Sequence, residues 1–339
     1  MSAESGLPRV PRSAHHYHFS AGPEPALHVP TGTSLVFETL DCFSNKLTSA
    51  EQRYARESDL LDLLRAYNPV AGPVHVEGAQ PGDVLAVRIV DIVIGTAGPF
   101  AVTNSFGTGA KMVNHDCAGM PPPGSTRICP LRDGQIDFPV GSGSIRLPAR
   151  PMVGTVGTAP AGPDVPSVHY SRDIGGNMDC PLIRPGAVVF LPVNVPGALL
   201  YLGDVHALMG DAEITGTALE TSADVTVEVS LLPRSAHPLS TPHVDSAQAL
   251  GVIGCTEGAG LETNLETAMV ELQERLCGEY GLAPVDAYEL LGAVAQVNVN
   301  QCVAGSWKSV YAGVERRFLP PPEPAGPGGT AAEDEHAAA

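Results

Sequence analysis

The stretch Pro185-Gly-Ala-Val-Val-Phe-Leu-Pro-Val-Asn-Val-Pro-Gly-Ala-Leu-Leu-Tyr-Leu-Gly-Asp-Val-His-Ala-Leu-Met-Gly-Asp-Ala-Glu213 joins two kinds of chemistry. A Pro-Gly turn opens it, and Val188–Leu191 follow as a β-branched and aromatic run. Pro192, Asn194 and Pro196 then interrupt the apolar residues from Ala187 to Leu202, so this segment is no membrane span. Its far end is acidic, with Asp204, His206, Asp211 and Glu213 inside ten positions. One imidazole, several carboxylates and glycines that let the backbone turn are what a hard or borderline metal ion takes. Alternate residues of a strand share a face, so Asp204 and His206 are expected to point together, as are Asp211 and Glu213. The segment reads as a strand delivering ligands to a cleft. The plainer alternative is a polar loop around a hydrogen-bonded histidine.

The same turn-then-strand theme recurs at Pro30-Thr-Gly32 before Leu35-Val-Phe37 and at Pro81-Gly82 before Val84–Val90. With 37 glycines and 32 prolines, a helical protein is excluded and short strands with many turns fit better. The expected fold class is mainly β (α+β): two related β modules of short twisted strands, with a few helices mostly in the C-terminal third. We divide the chain into a flexible arm over 1–24, a β module over 25–150, a β module plus helices over 151–319 packed with it as one body, and a disordered Pro/Gly/Ala tail over 320–339. Residues 107–143, rich in Gly and Pro, read as an excursion over the site. Period-two patterning predicts a hairpin from Glu213–Thr221 and Val225–Leu232. Helices are expected over 51–66, from Thr263 with a capping box to Glu266, and from Pro284 to about Gln296 with Tyr288, Leu291 and Ala295 on one face.

The 339 residues are 43% hydrophobic and carry a net charge of −18. Such a surface repels phosphates and anionic lipid, so neither nucleic acid nor membrane is an expected partner. Lys46, Lys111 and Lys308 are the only lysines. Seven cysteines, never spaced C-x-x-C, suit reduced thiols in a cytoplasmic protein better than a disulfide framework. No secretory signal is visible before Arg12.

Three further places offer chemistry. In Gly175-Gly-Asn-Met-Asp-Cys180 the glycines permit close approach of a ligand to backbone amides, while Asn177 and Asp179 add an amide and a carboxylate; the plainer reading is a Gly-Gly turn. Asp41 ends the β run Leu35–Leu40, either displaying a ligand group or capping the turn. Glu77 sits among apolar neighbours, and a partly buried carboxylate there would suit general acid–base work.

These segments, in this order, resemble the acetamidase/formamidase family. The matching stretches are Val36-Phe-Glu-Thr-Leu-Asp41, Asn68-Pro-x-x-Gly-Pro-x-x-Val-Glu-Gly-Ala-x-Pro-Gly-Asp83, Arg146-Leu-Pro-Ala-Arg-Pro-Met-x-Gly-x-x-Gly157, Gly175–Cys180, Leu191–Leu199 and Gly203–Glu213, then Gly216-Thr-Ala. The resemblance covers about 25–315. It implies a mostly β fold, a homodimer or larger oligomer, a divalent metal (zinc first), and hydrolysis of short linear amides to carboxylate and ammonia; the carboxylate-rich ligands themselves would suit calcium or manganese as well. Two departures stand out: Ala212 where a glycine is usual, and Ser171-Arg-Asp-Ile174 where Gly-Pro-His is common before the Gly-Gly.

The working assignment gives the metal Asp41, Asp179, Asp204, His206 and Asp211. It gives proton transfer to Glu77 or Glu213, and oxyanion support to Asn177 with the Gly175 and Gly176 amides. Two alternatives stay open: a metal-free thiol amidase using Cys180, and a non-catalytic metal- or small-ligand-binding protein that keeps the fold.

Overall fold

A computed structural model describes residues 6–54, 57–104, 125–232, 239–302 and 308–321. The chain is mostly β, as expected. One sheet runs, edge to edge, through Arg9–Val10, Thr33–Glu38, Ala223–Leu232, Val84–Ile94, Val188–Pro192, His243–Asp245, Ala249–Gly254, Lys308–Glu315 and Gln296–Cys302. All of its pairs are antiparallel except the first. A second sheet runs through Gly143–Pro148, Gln135–Val140, Thr126–Arg132, Phe100–Asn104, Leu219–Thr221, Leu200–Leu208, Met152–Gly157, Gly175–Asn177 and Tyr170–Ser171. Val70–Val76 joins it beside Leu200–Leu208 and carries His15–His16 and Leu27–Val29 in turn.

Alternation explains how the sheets meet. Along Ala223–Leu232, Val225, Val227 and Val229 face the core while Thr226, Glu228 and Ser230 turn away. They share one apolar cluster with Val153, Leu200, Leu202 and Val205 of the other sheet. Each sheet takes strands from both sides of residue 150, so the sheets do not follow a boundary there. The N-terminal segment expected as a flexible arm pairs instead: Arg9–Val10 with the first sheet and His15–His16 with the second.

The expected hairpin is corrected. Leu219–Thr221 and Ala223–Leu232 lie in different sheets. The chain crosses between them at Ser222, whose carbonyl accepts from Gly95 N at 2.7 Å and whose hydroxyl accepts from Ala97 N at 2.9 Å. Alternation continues through the crossing, so pattern alone does not reveal it.

Helices cover Glu57–Leu64, Leu261–Tyr280 and Pro284–Val294. The capping box does not form: the second helix starts two residues before Thr263, after Gly260, without a side-chain cap. Buried Asn264 anchors its first turn instead, accepting from Thr256 N and donating to Lys308 O. In the third helix Ala287 and Leu291 face the core, whereas Tyr288 is 70% exposed. About half of the excursion, 107–124, and the tail beyond 321 fall outside the described residues; the remainder of the excursion carries the meander Thr126–Arg132 and Gln135–Val140.

Candidate metal centre

The site is built on the strand Leu200–Leu208, where its edge forks. Along one side it pairs with Met152–Gly157 throughout. Along the other it pairs with Val70–Val76 as far as Gly203, then with Leu219–Thr221 from Val205 onward. A Cβ on Gly203 would come within 2.4 Å of Pro69 O, so only glycine admits the first neighbour. Asp204 sits at the fork with a left-handed backbone (φ 54°), as do Asn68 (51°), Asp179 (48°) and Glu213 (44°). Non-glycine residues adopt this conformation at a cost, and such positions gather where function demands a particular aim.

The fork turns Asp204 and His206 to a common side. His206 is fully buried, with its Nε2 3.3 Å from Glu220 Oε2, 3.5 Å from Asp204 Oδ1 and 3.9 Å from Asp179 Oδ1. Glu220 is its cross-strand partner. Asp179 arrives from the end of Gly175–Asn177, its N–H donating to Gly154 O at 3.1 Å. Gly154 leaves the room: a Cβ there would lie 2.7 Å from Asp179 Oδ1 and 2.8 Å from Asp204 Oδ2. Glu213 completes the group from the one-turn Asp211–Glu213 helix.

Supporting bonds hold these acids. Asp204 Oδ2 accepts from Asn68 Nδ2 at 3.0 Å and Thr155 Oγ1 at 3.2 Å. The same two donors hold Asn177 Oδ1, at 3.0 and 2.7 Å. Glu220 Oε1 accepts from Ala218 N at 2.7 Å. Asp41 Oδ1 accepts from the Phe43 and Asn45 amides, fixing the turn that brings Cys42 beside Asp204 and Glu220.

No lysine or arginine forms an ion pair with these carboxylates among the described residues. Burial pushes the Asp179 carboxyl well above its ordinary range, and Glu213 and Asp204 push it the same way. Burial does the same to Glu220. It raises Glu213 to about 8 against the opposing charge of His206, and Asp41 to about 6 against the Asn45 and Phe43 amides. For His206, burial alone would lower the imidazole, but Glu220 and Asp204 outweigh it and hold it well above normal. Among the described residues, both oxygens of Asp179, both nitrogens of His206 and Glu220 Oε2 have no hydrogen-bond partner.

Buried groups of this polarity are costly unless paired or coordinated. Ligands about 2.1 Å from one cation, at tetrahedral angles, stand ~3.4 Å apart. The 3.3 and 3.5 Å spacings around His206 Nε2 match that and the 3.9 Å spacing to Asp179 is somewhat longer, so the donors fit a divalent ion. Asp179, Asp204 and His206 form one possible set; His206, Glu213 and Glu220 form another that shares the imidazole.

A profile described as the Acetamidase/Formamidase family matches residues 12–172 and 164–305. The chain belongs to the acetamidase/formamidase family. It is 28% identical over 215 residues to the acetamidase of Mycolicibacterium smegmatis, a match covering 48% of this chain and 53% of that protein's length. The crystal structure of an acetamidase from Bacillus halodurans superposes with a TM-score of 0.79 at 29% identity, covering 91% of this chain and 98% of that one. An acetamidase from Yersinia enterocolitica gives 0.82 at 28%, covering 94% and 95%.

Within this family member the expected site residues divide. Asp179, Asp204, His206 and Glu213 converge; Asp41 lies beside them but spends Oδ1 on backbone. Asp211 is exposed, on the rim of a cavity of about 350 Å³ that Glu213 also lines. Glu77 is exposed in the turn after Val70–Val76, not partly buried as expected. At ~3.3 Å per residue it lies roughly 20 Å along the strand from the Val70–Gly203 pair. Gly175 and Gly176 are paired on both sides within the sheet, so their amides do not open toward a ligand. Asn177 Nδ2 donates to Val168 O. Cys180 is buried in the core with its thiol pushed up to about 12 by burial, which removes the thiolate that a nucleophile needs. Ile174 packs in an apolar group with Phe19 and Tyr201.

Sequence reading missed Glu220, Cys42, Asn68 and Thr155. Glu220 lay in the expected hairpin, where it was given no role. Asn68 was quoted within a motif, but only as part of a resemblance.

Proposed function

We propose that this protein hydrolyses short linear amides to carboxylate and ammonia with a divalent metal bound at His206. The observation that carries this is the convergence of unpaired donors from His206, Asp179 and Glu220, beside Asp204, in a buried and otherwise uncompensated acidic site. The names of the relatives support the substrate class. An imidazole, with the Cys42 thiol nearby, favours zinc over calcium, and manganese is the second choice.

Amides resist water because the carbonyl is a poor electrophile and the nitrogen a poor leaving group. A bound divalent ion supplies carbonyl polarisation and a water acidified to a pKa of roughly 7. The chain's own residues do the rest. Asp179, Asp204 and His206 would hold the ion, with Glu220 beside the imidazole. Asn68 and Thr155 keep Asp204 aimed through their hydrogen bonds. Glu213, the cluster member that borders the cavity, takes the water's proton and returns it to the departing nitrogen. A homodimer or larger assembly, and a reducing compartment suited to the six unpaired cysteines among the described residues, belong to the same proposal.

The test is ammonia release from formamide and acetamide by purified protein, with metal content measured on the same sample. We expect a chelator and His206→Ala each to abolish turnover, and zinc to restore the chelated protein. Turnover in a metal-free sample ends the metal reading. Bound metal without ammonia release leaves the non-catalytic alternative.

A further inference from the structure

Resting on that amide-hydrolysis reading, one more buried polar side chain lies on a strand of the other sheet that packs against the turn delivering Glu213. Gln296–Cys302 forms an edge of the first sheet and packs on the Asp211–Glu213 turn that delivers Glu213. Its pairing with Lys308–Glu315 slips between Val299, opposite Val310, and Gln301, opposite Ser309, so Asn300 is the extra residue of a bulge. Bulges re-aim a side chain and gather beside active sites. Here the flanking residues tie the bulge to the segment that presents Asp179. Gln301 Nε2 donates to Asn177 O at 2.6 Å, and Ser309 Oγ donates to Met178 O at 2.6 Å.

Asn300 itself is left over. It is fully buried, and neither Oδ1 nor Nδ2 has a hydrogen-bond partner among the described residues. Buried side-chain amides almost always find partners, so a carboxamide with both ends unmet points to a ligand that meets them. The groups first expected to steady the carbonyl (Asn177 and the Gly175 and Gly176 amides) are occupied within the fold.

We propose that Asn300 recognises the primary carboxamide of the substrate, with Nδ2 donating to its carbonyl oxygen and Oδ1 accepting from its –NH2 group. One carboxamide meets another with donor to acceptor at both ends. An ester of the same acyl group has no N–H to give, so Asn300 selects amide over ester.

The experiment compares acetamide with methyl acetate in the metal-loaded protein and in Asn300→Ala. We expect kcat/KM for acetamide to fall about 100-fold, and that for methyl acetate to fall far less, with metal content and Tm unchanged. Where ester turnover is below detection, inhibition constants of the two compounds against formamide hydrolysis give the same comparison. Asn300→Ser serves if the alanine variant does not fold. Equal losses for both compounds, or an unchanged amide rate, overturn the assignment alone. No amide turnover by the unsubstituted protein overturns the hydrolytic reading and this one with it.

Discussion

Gly154 is where a single methyl group would intrude on the acid cluster itself, because its missing side chain is the space that Asp179 and Asp204 share. Gly154→Ala is expected to keep the fold but weaken metal binding by about 10–100-fold, the range for changes that misorient ligands; zinc titration against a competing chelator measures it. Ala212 is the converse case. Its φ of 71° lies in the left-handed region, where an L side chain costs ~1–2 kcal/mol. Ala212→Gly should recover part of that, after the ~0.5–1 kcal/mol that glycine loses to chain entropy. A small rise in Tm is the expected outcome, and a fall would show that the turn does not store this strain. The departure at Ala212 was visible as a broken motif, but its physical content, a backbone angle, was not. His206, Asp179 and Asp204 were legible because their residue types and spacing are chemically selective. Glu220 and Glu77 were not, since alternation records which residues share a face and not what that face meets.

At the scale of elements, the Leu261–Tyr280 helix depends on one buried charge. Arg275 on its core face makes a two-pronged bond to Asp245 at 2.8 and 2.9 Å, and Arg316 adds a third contact at 2.9 Å. Burial alone would raise Asp245; the hydrogen bonds and charge of Arg275, with Arg316, outweigh it and hold the carboxyl below its ordinary value. A depressed carboxyl contributes stability above its unfolded value of ~3.9, and that contribution is lost as pH falls through the folded value. Removing the partner leaves the Arg275 guanidinium only its bonds to Glu279 and Gly251 O, so Asp245→Ala should destabilise by about 1.5–3 kcal/mol, read by urea denaturation at neutral pH. Spacing revealed this helix, with Leu272 and Leu276 inward, yet misplaced its start. The first turn is set by Asn264 reaching Lys308, a contact across forty-four positions that no local pattern encodes.

For the whole molecule, the dominant question is how so many buried acids coexist. Glu213 is raised to about 8 from ~4.3, and a raised carboxyl stabilises the fold below its unfolded value and stops doing so as pH climbs through the folded one. Raised His206 acts in the same direction. The metal-free protein should therefore lose Tm as pH rises from about 5 to about 8.5, while saturating zinc flattens the curve; calorimetry with and without chelator reads both. A metal-free Tm that is flat or rising would contradict this account of the cluster. The mainly β architecture was legible in glycine, proline and alternation, but the interleaving of the sheets was not, because pairing partners up to nearly two hundred positions apart leave no local trace. That interleaving has a temporal meaning. The donors run from Asp179 to Glu220, and their supports reach back to Asn68 and forward to Ser309. A nascent chain would hold no pocket for the proposed ion until almost its last strand has docked, so ion capture in a refolding time course should trail backbone assembly and report its completion.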